Sequence, residues 1–554
     1  MDVLVTSDFN ADLISRCIAA DATEPPLAAN AAPYGQVFQT LAAAQPANEM
    51  QALFIWARPE GVIASYRGLL EGESIDPDTL LAEVDQFANA IASAAQRYRL
   101  VLIASFVRAQ AGRGSGLMDW TDDGEALWLA RMNVRLVERL RAAANVRVLD
   151  AQRWLDSARP PRDARYWYTM KSPFPDAVLR AAARDIKAAT RAFSGSARKL
   201  VVLDLDDTLW GGVVGETGWA GVRLGGHDAI GEAYVDFQRA LKTLSRRGVA
   251  LAIVSKNTEA VALEAIDQHP EMILRRADLA GWRINWQDKA QNLVELAAEL
   301  NLGLQSVVFI DDNPAERGRV AEALPEVMVP DWPVDPLRYA DALRQLDCFD
   351  THALTAEDRS RADMYAKARE RNQGMAGTSM EDWLAALDVQ VSIEPALGAN
   401  LTRSVQLANK TNQMNLRSRR MTEVEFSSWI AGPPTRQAWA IKVSDRFGDL
   451  GLTGLLSCER TDSEVEVVDF LLSCRAMGRQ VENVMAHLAV EWAREIGAAS
   501  VIAPFAPTER NQPCRDFWEG SGFEREGDIY RWNAARPYPR PDFISVHAPA
   551  AAEA

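Results

Sequence analysis

An apolar run, LVVL, ends directly in an acidic turn that reads DLDDTLWGG from Asp204 to Gly212. A continuous apolar run of this length is typical of a strand that is buried on both faces of a parallel sheet. The polar side chains that such strands deliver gather at the carboxyl edge of the sheet. Two later runs end in the same way, because AIVSKN delivers Ser255 and VVFIDDN delivers a further pair of aspartates. The sequence therefore predicts an α/β fold whose parallel sheet carries polar groups along one edge.

Length and charge exclude several classes of protein. The 554 residues predict three or four domains. With 76 acidic and 60 basic residues the formal net charge is −16, which disfavours a nucleic-acid partner because phosphate neutralisation needs a basic face. We expect no membrane span, since the sequence has no run of about 18 apolar residues. We also expect no secretion leader, since the first residues lack a basic segment followed by an apolar one. The five cysteines and five histidines are scattered, which predicts neither a disulfide framework nor a zinc site and favours a cytoplasmic setting.

Alternating strand and helix patterns divide the chain into three predicted units. The middle unit is expected to contain the strand LVVL and two further strands, at Val249–Val254 and Ser306–Ile310. The third unit mixes strands and helices in an α+β pattern. The predicted ranges are 1–195, 196–350, 351–380 (a helical connector), 381–545 and 546–554 (a frayed tail).

The strand ends of the middle unit carry the residue types that phosphate chemistry requires. One carboxylate of the pair Asp204 and Asp206 can attack phosphorus while the other transfers a proton. Carboxylates this close repel each other, and a bound Mg²⁺ relieves the repulsion. Oxygen ligands for such an ion are expected from Asp204, Asp206, Asp311 and Asp312. Donors and a positive charge for a phosphoryl group are expected from Thr208, Ser255, Asn257 and Lys289.

These motifs, in this order, resemble the four motifs of the haloacid dehalogenase (HAD) superfamily. The resemblance implies a HAD-like Rossmannoid core in which Asp204 is the nucleophile and Asp206 the general acid and base. Ser255 and Lys289 would anchor the phosphate. The Mg²⁺ ligands would be Asp204, the backbone carbonyl of Asp206, and Asp311 or Asp312.

The amino-acid sequence around the motifs is similar to that of the FkbH-like subgroup of the superfamily. The similar segments are DLDDTLWGGVVGE, VSKN, INWQDKAQN, FIDDNPAER, QLANKTNQMNLRSRR and SDRFGDLGLTG. Asp207 stands where that pattern usually has asparagine. The resemblance implies an enzyme that dephosphorylates a three-carbon acyl phosphate, 1,3-bisphosphoglycerate, and loads the glyceryl unit onto an acyl carrier protein in polyketide-type biosynthesis. Two alternatives stay open: a small-molecule phosphatase fused to a CoA-dependent N-acyltransferase, and a docking scaffold for a carrier protein.

The segment RAMGRQ joins a predicted strand to a predicted helix in the third unit. Backbone amides at a helix start attract phosphate oxygens, and glycine permits close approach. The segment resembles the pyrophosphate loop of GNAT acyltransferases, which implies a GNAT-like domain that binds CoA or the phosphopantetheine of a carrier protein. The residues implicated are Arg475, Gly478, Arg479, Gln480 and Asn511. The neighbouring Cys474 is a candidate acyl-carrying thiol, because a helix start lowers the pKa of a thiol.

The first unit resembles the SGNH-hydrolase fold through the segment SDFN, Ser7–Asn10, which follows its first strand. That fold pairs a serine with a histidine for nucleophilic catalysis. The sequence contains no histidine before His227. We therefore expect an SGNH-like α/β domain that serves as a non-catalytic scaffold or docking module.

Overall fold

The computed structural model describes residues 2–43, 52–108, 112–352, 384–446, 448–473, 475–508 and 510–547. The predicted connector at 351–380 lies outside these ranges apart from its first two residues, and so does the predicted tail at 546–554. The chain forms two compact units, unit 1 at Met1–Phe193 and unit 2 at Ser194–Ala554. Both units contain parallel sheets flanked by helices, so the predicted α/β fold class is confirmed.

Unit 1 is built on one parallel sheet of five strands. The strands are β1 (Asp2–Ser7), β2 (Ala28–Ala31), β3 (Ala52–Trp56), β4 (Leu100–Ala104) and β5 (Val146–Leu149). Their order is β2-β1-β3-β4-β5, and every pairing is parallel. The central strands β3 and β4 are buried along their whole length, because apolar side chains cover both faces of the sheet.

The helices of unit 1 lie on both faces of this sheet. The longest ones, Pro77–Ala95 and Asp176–Phe193, each bury an apolar stripe. The helices are Asp12–Ala20, Val37–Ala42, Pro59–Val62, Ala64–Leu70, Pro77–Ala95, Glu125–Leu140, Ala151–Leu155, Ala164–Met170 and Asp176–Phe193.

The first part of unit 2 is a four-stranded parallel sheet. Its strands are β6 (Leu200–Leu203), β7 (Ala250–Ser255), β8 (Leu279–Ile284) and β9 (Val307–Ile310). The order is β8-β7-β6-β9, which makes β6 an inner strand between β7 and β9. β6, β7 and β9 are fully buried between two apolar clusters. The helices are Val214–Thr217, Ala229–Arg246, Glu259–Gln268, Lys289–Glu299, Pro314–Ala323 and Tyr339–Arg344.

The second part of unit 2 is a mixed, mainly antiparallel sheet. Its strands are β10 (Gln390–Pro395), β11 (Met414–Asn415), β12 (Arg436–Asp445), β13 (Gly448–Thr461), β14 (Glu464–Leu472), β15 (Ser500–Pro504), β16 (Glu524–Glu526), β17 (Ile529–Asn533) and β18 (Ser545–His547). They run in the order β16-β17-β15-β14-β13-β12-β10-β18, and β11 pairs with β14. The helices are Leu401–Lys410, Glu423–Ile430, Val481–Glu495 and Gln512–Gly520.

β14 and β15 pair over three residues only, at the beginning of β14. The end of β14 pairs instead with the two-residue strand β11, where Met414 lies opposite Leu472. β14 and β15 thus diverge along the sheet, and the short β11 pairs with the end of β14 that β15 does not reach. The predicted loop at Arg475–Gln480 follows directly after this end of β14.

Candidate functional site

The carboxyl ends of β6 and β9 bring three aspartates together. The backbone amide of Asp204 donates to the carbonyl of Ile310 at 3.0 Å, which extends the pairing of the two strands by one residue. Carboxylate oxygens of Asp204, Asp311 and Asp312 all lie within 4.8 Å of one another. We call these three residues the aspartate cluster. Two strands more than a hundred residues apart in sequence thus deliver one acidic site, as parallel sheet topology requires.

Lys289 supplies the positive charge of this site. It is the first residue of the helix Lys289–Glu299, which Asp288 caps by accepting the amides of Ala290 and Gln291. Its Nζ lies 2.7 Å from Oδ2 of Asp311 and 3.0 Å from Oδ1 of Asp204. The ammonium is buried, and burial alone lowers its pKa. The two carboxylates outweigh that effect, so the pKa of Lys289 is raised and the charge is retained.

The Asp206 carboxylate lies apart from the aspartate cluster and is held in place by three donors. Its Oδ1 accepts from Nε1 of Trp210 at 2.9 Å and from the amide of Val214 at 3.0 Å. Its Oδ2 accepts from Nδ2 of Asn257 at 2.9 Å. Burial raises the pKa of Asp206 in spite of these donors. The side chain predicted as a proton donor is therefore fixed next to, but outside, the group of possible metal ligands.

Asp312 is oriented by Thr208 from the neighbouring turn. The Thr208 hydroxyl donates to Oδ1 of Asp312 at 3.2 Å and accepts the Asp312 amide at 3.1 Å. Arg317, one turn into the next helix, donates to the carbonyls of Asp311 and Asp312 at 2.8 and 2.7 Å. Burial, followed by the charge of Asp204, raises the pKa of both cluster aspartates that follow β9. The arrangement concentrates negative charge that a cation would neutralise.

The four side chains predicted to bind phosphate lie in the same region of unit 2. Ser255 is buried at the end of β7, the neighbour of β6, and Lys289 contacts the aspartate cluster. Thr208 and Asn257 instead make their hydrogen bonds to the acids Asp312 and Asp206. These two residues therefore act first as supports for the carboxylates.

The residues present fit a divalent cation bound by oxygen. Oδ1 of Asp204 is buried and lies 3.0 Å from the Lys289 ammonium. The group holds three carboxylates, and the Lys289 ammonium contacts two of them, which leaves excess negative charge in a largely buried setting. Mg²⁺ prefers oxygen ligands of this kind and is commonly held by one or two carboxylates. Of the metal ligands predicted from the sequence, Asp204, Asp311 and Asp312 contribute side chains to this group.

Two supporting residues were not singled out from the sequence. Trp210 lies inside the motif DLDDTLWGG, and Arg317 lies inside FIDDNPAER. Their position within these motifs is the sequence signal that could have identified them. Asp207, the residue at which the chain departs from the FkbH-like pattern, has a positive φ of 51° and accepts the Gly212 amide at 2.7 Å. Its carboxylate closes a turn and is not part of the aspartate cluster.

The residues predicted for CoA or pantetheine have mixed placements. Arg479 is buried and forms an ion pair with Asp445, with Nη2 2.9 Å from Oδ2. Asn511 is buried, and its amide group donates to the carbonyls of Asn415 and Ala506 and accepts the Thr508 amide. Both side chains thus make contacts within the protein, and their assignment to a CoA or pantetheine site stays a prediction.

The remaining members of the predicted loop are nearer to solvent. Gly478 has a φ of 76° with open space where a Cβ would lie, and Gln480 has a φ of 60° directly before the helix Val481–Glu495. Arg475 is half-buried, and its Nε donates to Oγ of Ser473 at 3.3 Å. The candidate thiol Cys474 lies outside the described residues.

The first two side chains of the SDFN segment in unit 1 make contacts within the protein. Oγ of Ser7 accepts the Phe9 amide at 3.0 Å, and Asp8 forms an ion pair with Arg58 at 2.7 Å. Burial raises the pKa of Asp8 although Arg58 opposes this. The expectation of a non-catalytic SGNH-like domain stays a prediction.

No protein-family model and no curated protein matches this chain. Among solved structures, the chain is similar to the N-terminal part of a Bacteroides fragilis protein that contains a phosphatase domain complexed with Mg. The identity is 25%, the TM-score is 0.57, and the match covers 64% of this chain and 94% of that chain. About two thirds of this chain thus shares its fold with a structure that contains a phosphatase domain.

Matches to GNAT-family structures are shorter. A GNAT acetyltransferase from Staphylococcus aureus matches at 9% identity and TM-score 0.21, covering 26% of this chain and 99% of that chain. The ribosomal-protein-S18-alanine N-acetyltransferase from Escherichia coli matches at 8% identity and TM-score 0.20, covering 26% and 90%. Among the helices described, none is both long enough and apolar enough to cross a bilayer.

Proposed function

We propose that the chain is a Mg²⁺-dependent phosphatase that acts on a phosphorylated small molecule. The observation that carries this proposal is the grouping of Asp204, Asp311 and Asp312 at the carboxyl edge of a parallel sheet, with the buried ammonium of Lys289 in contact with the first two. The HAD-like motif order and the likeness to a phosphatase-containing structure complexed with Mg support it. Bound at the aspartate cluster, Mg²⁺ would neutralise charge on the transferring phosphoryl group.

In the proposed reaction, a carboxylate oxygen of Asp204 attacks phosphorus and the bond from phosphorus to the leaving oxygen breaks. The leaving oxygen takes the proton of Asp206. Water then attacks the aspartyl-phosphate and gives its proton to Asp206, which releases inorganic phosphate and restores both carboxyl groups. Oδ2 of Asp206 is the oxygen better suited to pass the proton, because it accepts from Asn257 alone whereas Oδ1 accepts from both Trp210 and Val214.

Lys289 would hold the phosphoryl oxygens in this reaction while remaining charged. Its contacts with Asp204 and Asp311 fix the ammonium beside the attacking oxygen. Ser255, which is buried at the end of the adjacent strand β7, would donate a hydrogen bond to the same group. Both would lower the cost of the charge that develops as the phosphorus–oxygen bond breaks.

For the C-terminal part we propose acyl transfer from CoA, which makes the whole chain a phosphatase fused to an acyltransferase. The GNAT-like loop sequence supports this, and so does the open space around Gly478 at the start of a helix. The narrower prediction, in which a glyceryl unit is loaded onto the phosphopantetheine of an acyl carrier protein, remains a second proposal. It rests on the FkbH-like wording of the motifs.

Phosphate release by the full chain tests the first proposal. The substrates are a panel of phosphomonoesters and acyl phosphates, 1,3-bisphosphoglycerate included, with and without Mg²⁺. We expect Asp204→Asn to lose more than about a thousandfold in rate, as removal of a nucleophile does. The matched control is Asp207→Asn, which makes the same type of substitution at an aspartate outside the aspartate cluster and should retain activity. Equal rates for Asp204→Asn and wild type would reject Asp204 as the nucleophile.

The two acyl-transfer proposals separate in one further assay. Turnover of acetyl-CoA with amine acceptors supports the CoA-dependent acyltransferase. A glyceryl adduct on a holo carrier protein, seen by mass spectrometry after incubation with 1,3-bisphosphoglycerate and Mg²⁺, supports the carrier-loading reaction instead. An adduct that forms equally on the apo carrier would reject loading on phosphopantetheine.

A further inference from the structure

Unit 1 contains an open cavity of about 740 Å³. Three segments line most of it: the helix Asp12–Ala20, the helix Ala164–Met170 with the turn after it, and the start of the helix Asp176–Phe193. We call this cavity the helix groove. Its volume lies in the range of pockets that take small molecules, and no step proposed above uses it.

Much of the lining of the helix groove is apolar. Leu13 and Ala20 line it from the first helix, and the buried side chains of Phe174 and Leu179 line it from the later segments. Since Leu13 and Ala20 are seven residues apart, the groove follows the helix Asp12–Ala20 for about 10 Å at 1.5 Å per residue. An extended aliphatic chain of about eight carbons has a similar length, because each carbon–carbon bond measures about 1.5 Å. The lining is therefore suited to a chain of this size.

Two exposed arginines, Arg16 and Arg184, also line the helix groove. Arg16 lies three residues after Leu13, so the two side chains share one face of their helix. Within the part of the chain that the structure describes, neither guanidinium forms an ion pair or a hydrogen bond. A guanidinium presents a planar set of donors that matches a carboxylate in two parallel hydrogen bonds. The groove thus combines an apolar lining with two cations that are available to an anion.

The two acids of the lining are already paired with other cations. Oδ2 of Asp176 lies 2.6 Å from Nε of Arg180. Oδ1 of Asp21 lies 3.6 Å from Nζ of Lys187, which is buried. These acids therefore leave the charge of the two exposed arginines without a partner, and an anion bound in the helix groove would gain from it.

Cys17 provides a chemical reporter inside the helix groove. Its side chain is half-buried, lines the groove and forms no disulfide. The thiol Sγ lies 3.8 Å from Oδ1 of Asp176. The other cysteines among the described residues are buried, namely Cys348, Cys458 and Cys514. A molecule bound along the groove would cover the Cys17 thiol, so its reaction with an alkylating reagent would become slower.

We propose that the helix groove binds an aliphatic carboxylic acid with a chain of about eight carbons. The chain lies along the apolar lining, and Arg16 and Arg184 bind the carboxylate, which is ionised at neutral pH. Unit 1 would then bind a ligand without any need for catalytic residues of its own. The inference does not depend on the phosphatase reaction, because the groove belongs to unit 1 and the aspartate cluster to unit 2.

The rate at which iodoacetamide alkylates Cys17 in the full chain tests the proposal. Mass spectrometry of the peptide that contains Cys17 gives this rate separately from that of every other cysteine, and its dependence on octanoate concentration gives Kd. We expect saturating octanoate to slow the alkylation at least fivefold. Two probes separate the contributions of chain and charge: 1-octanol has the same chain length without the charge, and butyrate has the charge on a short chain. Each should bind with a Kd at least tenfold higher than octanoate.

The test variant is Arg16→Gln with Arg184→Gln, which removes both exposed cations from the helix groove. The matched control is Arg113→Gln with Arg141→Gln. It replaces two exposed arginines of unit 1 that do not line the groove and form no ion pair within the described ranges. We expect the Kd for octanoate to rise at least tenfold in the test variant and to stay within twofold in the control. Each Kd comes from rates with and without octanoate in the same variant, so a change in the reactivity of Cys17 itself does not enter.

Three results would overturn the proposal. They are a wild-type alkylation rate that octanoate does not change, protection by 1-octanol or butyrate as strong as that by octanoate, and equal rises in Kd in the test and control variants. If circular dichroism shows that the double variant does not fold, Arg16→Gln alone is measured in the same way. Its control is then Arg113→Gln, and a rise in Kd below threefold would overturn the proposal.

Discussion

Nζ of Lys289 and Oδ2 of Asp311 lie 2.7 Å apart, and both side chains are buried. The pair joins the start of a helix to the end of β9, and Oδ1 of Asp204 lies 3.0 Å from the same ammonium. Removal of one partner from a buried ion pair leaves the other charge without compensation, which is costly. The stability of this site and its chemistry therefore depend on the same cation.

Lys289→Met should lower the free energy of unfolding by about 3 kcal/mol in EDTA. Saturating Mg²⁺ should recover part of the loss, because the ion binds only the folded aspartate cluster. Chemical denaturation with and without Mg²⁺ measures both effects. Lys256→Met is the control, since Lys256 pairs with Glu316 at the surface and its loss should cost less than about 1 kcal/mol. A loss in Lys289→Met no larger than in the control would contradict the expectation.

Asp312→Asn should weaken Mg²⁺ binding by about tenfold or more while the fold is kept. The amide can still accept from the Thr208 hydroxyl, so the local hydrogen bonds survive but a ligand charge is lost. The Mg²⁺ concentration for half-maximal phosphate release and the Mg²⁺-dependent rise in Tm both report the change. Asp207→Asn should leave the two quantities as they are in the wild type. A matching shift in Asp207→Asn would show that general charge, rather than ligation, is responsible.

Arg479→Met should destabilise the protein by about 3 kcal/mol, because it removes the cation that pairs with the buried carboxylate of Asp445. The double variant Arg479→Met with Asp445→Leu should regain part of that loss, since it removes both charges together. Urea denaturation of the two variants and the wild type gives the comparison. A single variant as stable as the wild type, but weaker in CoA binding, would return Arg479 to the ligand role that its sequence position suggested.

Glu482 should make stability depend on pH. Burial raises its pKa to about 7 from an ordinary 4.5, although the Gly478 amide and Arg479 oppose the shift. A raised pKa means that the folded state favours the protonated acid, so its contribution is complete below about pH 4.5 and disappears as pH rises through 7. Relative to Glu482→Gln, the wild type should therefore lose up to about 3 kcal/mol between pH 5 and pH 8.

Thermal denaturation of the wild type and Glu482→Gln at half-unit pH steps tests this. The two curves of Tm should meet near pH 5, and the variant should be the more stable of the two at pH 8. Glu495→Gln, which changes an exposed glutamate at the other end of the same helix, should follow the wild type throughout. Parallel curves for the wild type and Glu482→Gln would show that the buried carboxyl does not titrate in this range.

The acidic edge of the four-stranded sheet was predictable because two of its strands, β6 and β9, are unbroken apolar runs. The four consecutive apolar residues of LVVL and of VVFI predict buried strands. Each of these strands is followed directly by the acids that form the aspartate cluster. β8 was not predicted, since LAGWRI contains a glycine and an arginine and is only partly buried. Its omission left the site unaffected, because β8 is the edge strand beyond β7.

Partners that are distant in sequence set the limit of such predictions. The sequence of its loop predicts a ligand contact for Arg479. In the structure its side chain pairs with Asp445, which lies 34 residues earlier at the end of β12. Asn511 was likewise assigned without knowledge that the carbonyl of Asn415 would meet its amide. Local patterns show which side chains are polar, but the tertiary fold decides whether they face a ligand or the interior.

The four residues of β6 have a consequence for how the molecule could be altered. At about 3.3 Å per residue, the strand separates Lys199 from Asp204 by roughly 17 Å. A backbone hydrogen bond ties each end to the β9 side of the sheet, from the Lys199 amide to the carbonyl of Ser306 at 2.8 Å and from the Asp204 amide to the carbonyl of Ile310 at 3.0 Å. A slip of β6 by a single position would break both bonds and turn Asp204 to the other face of the sheet, so the acidic site cannot be moved along the strand by one residue without being lost.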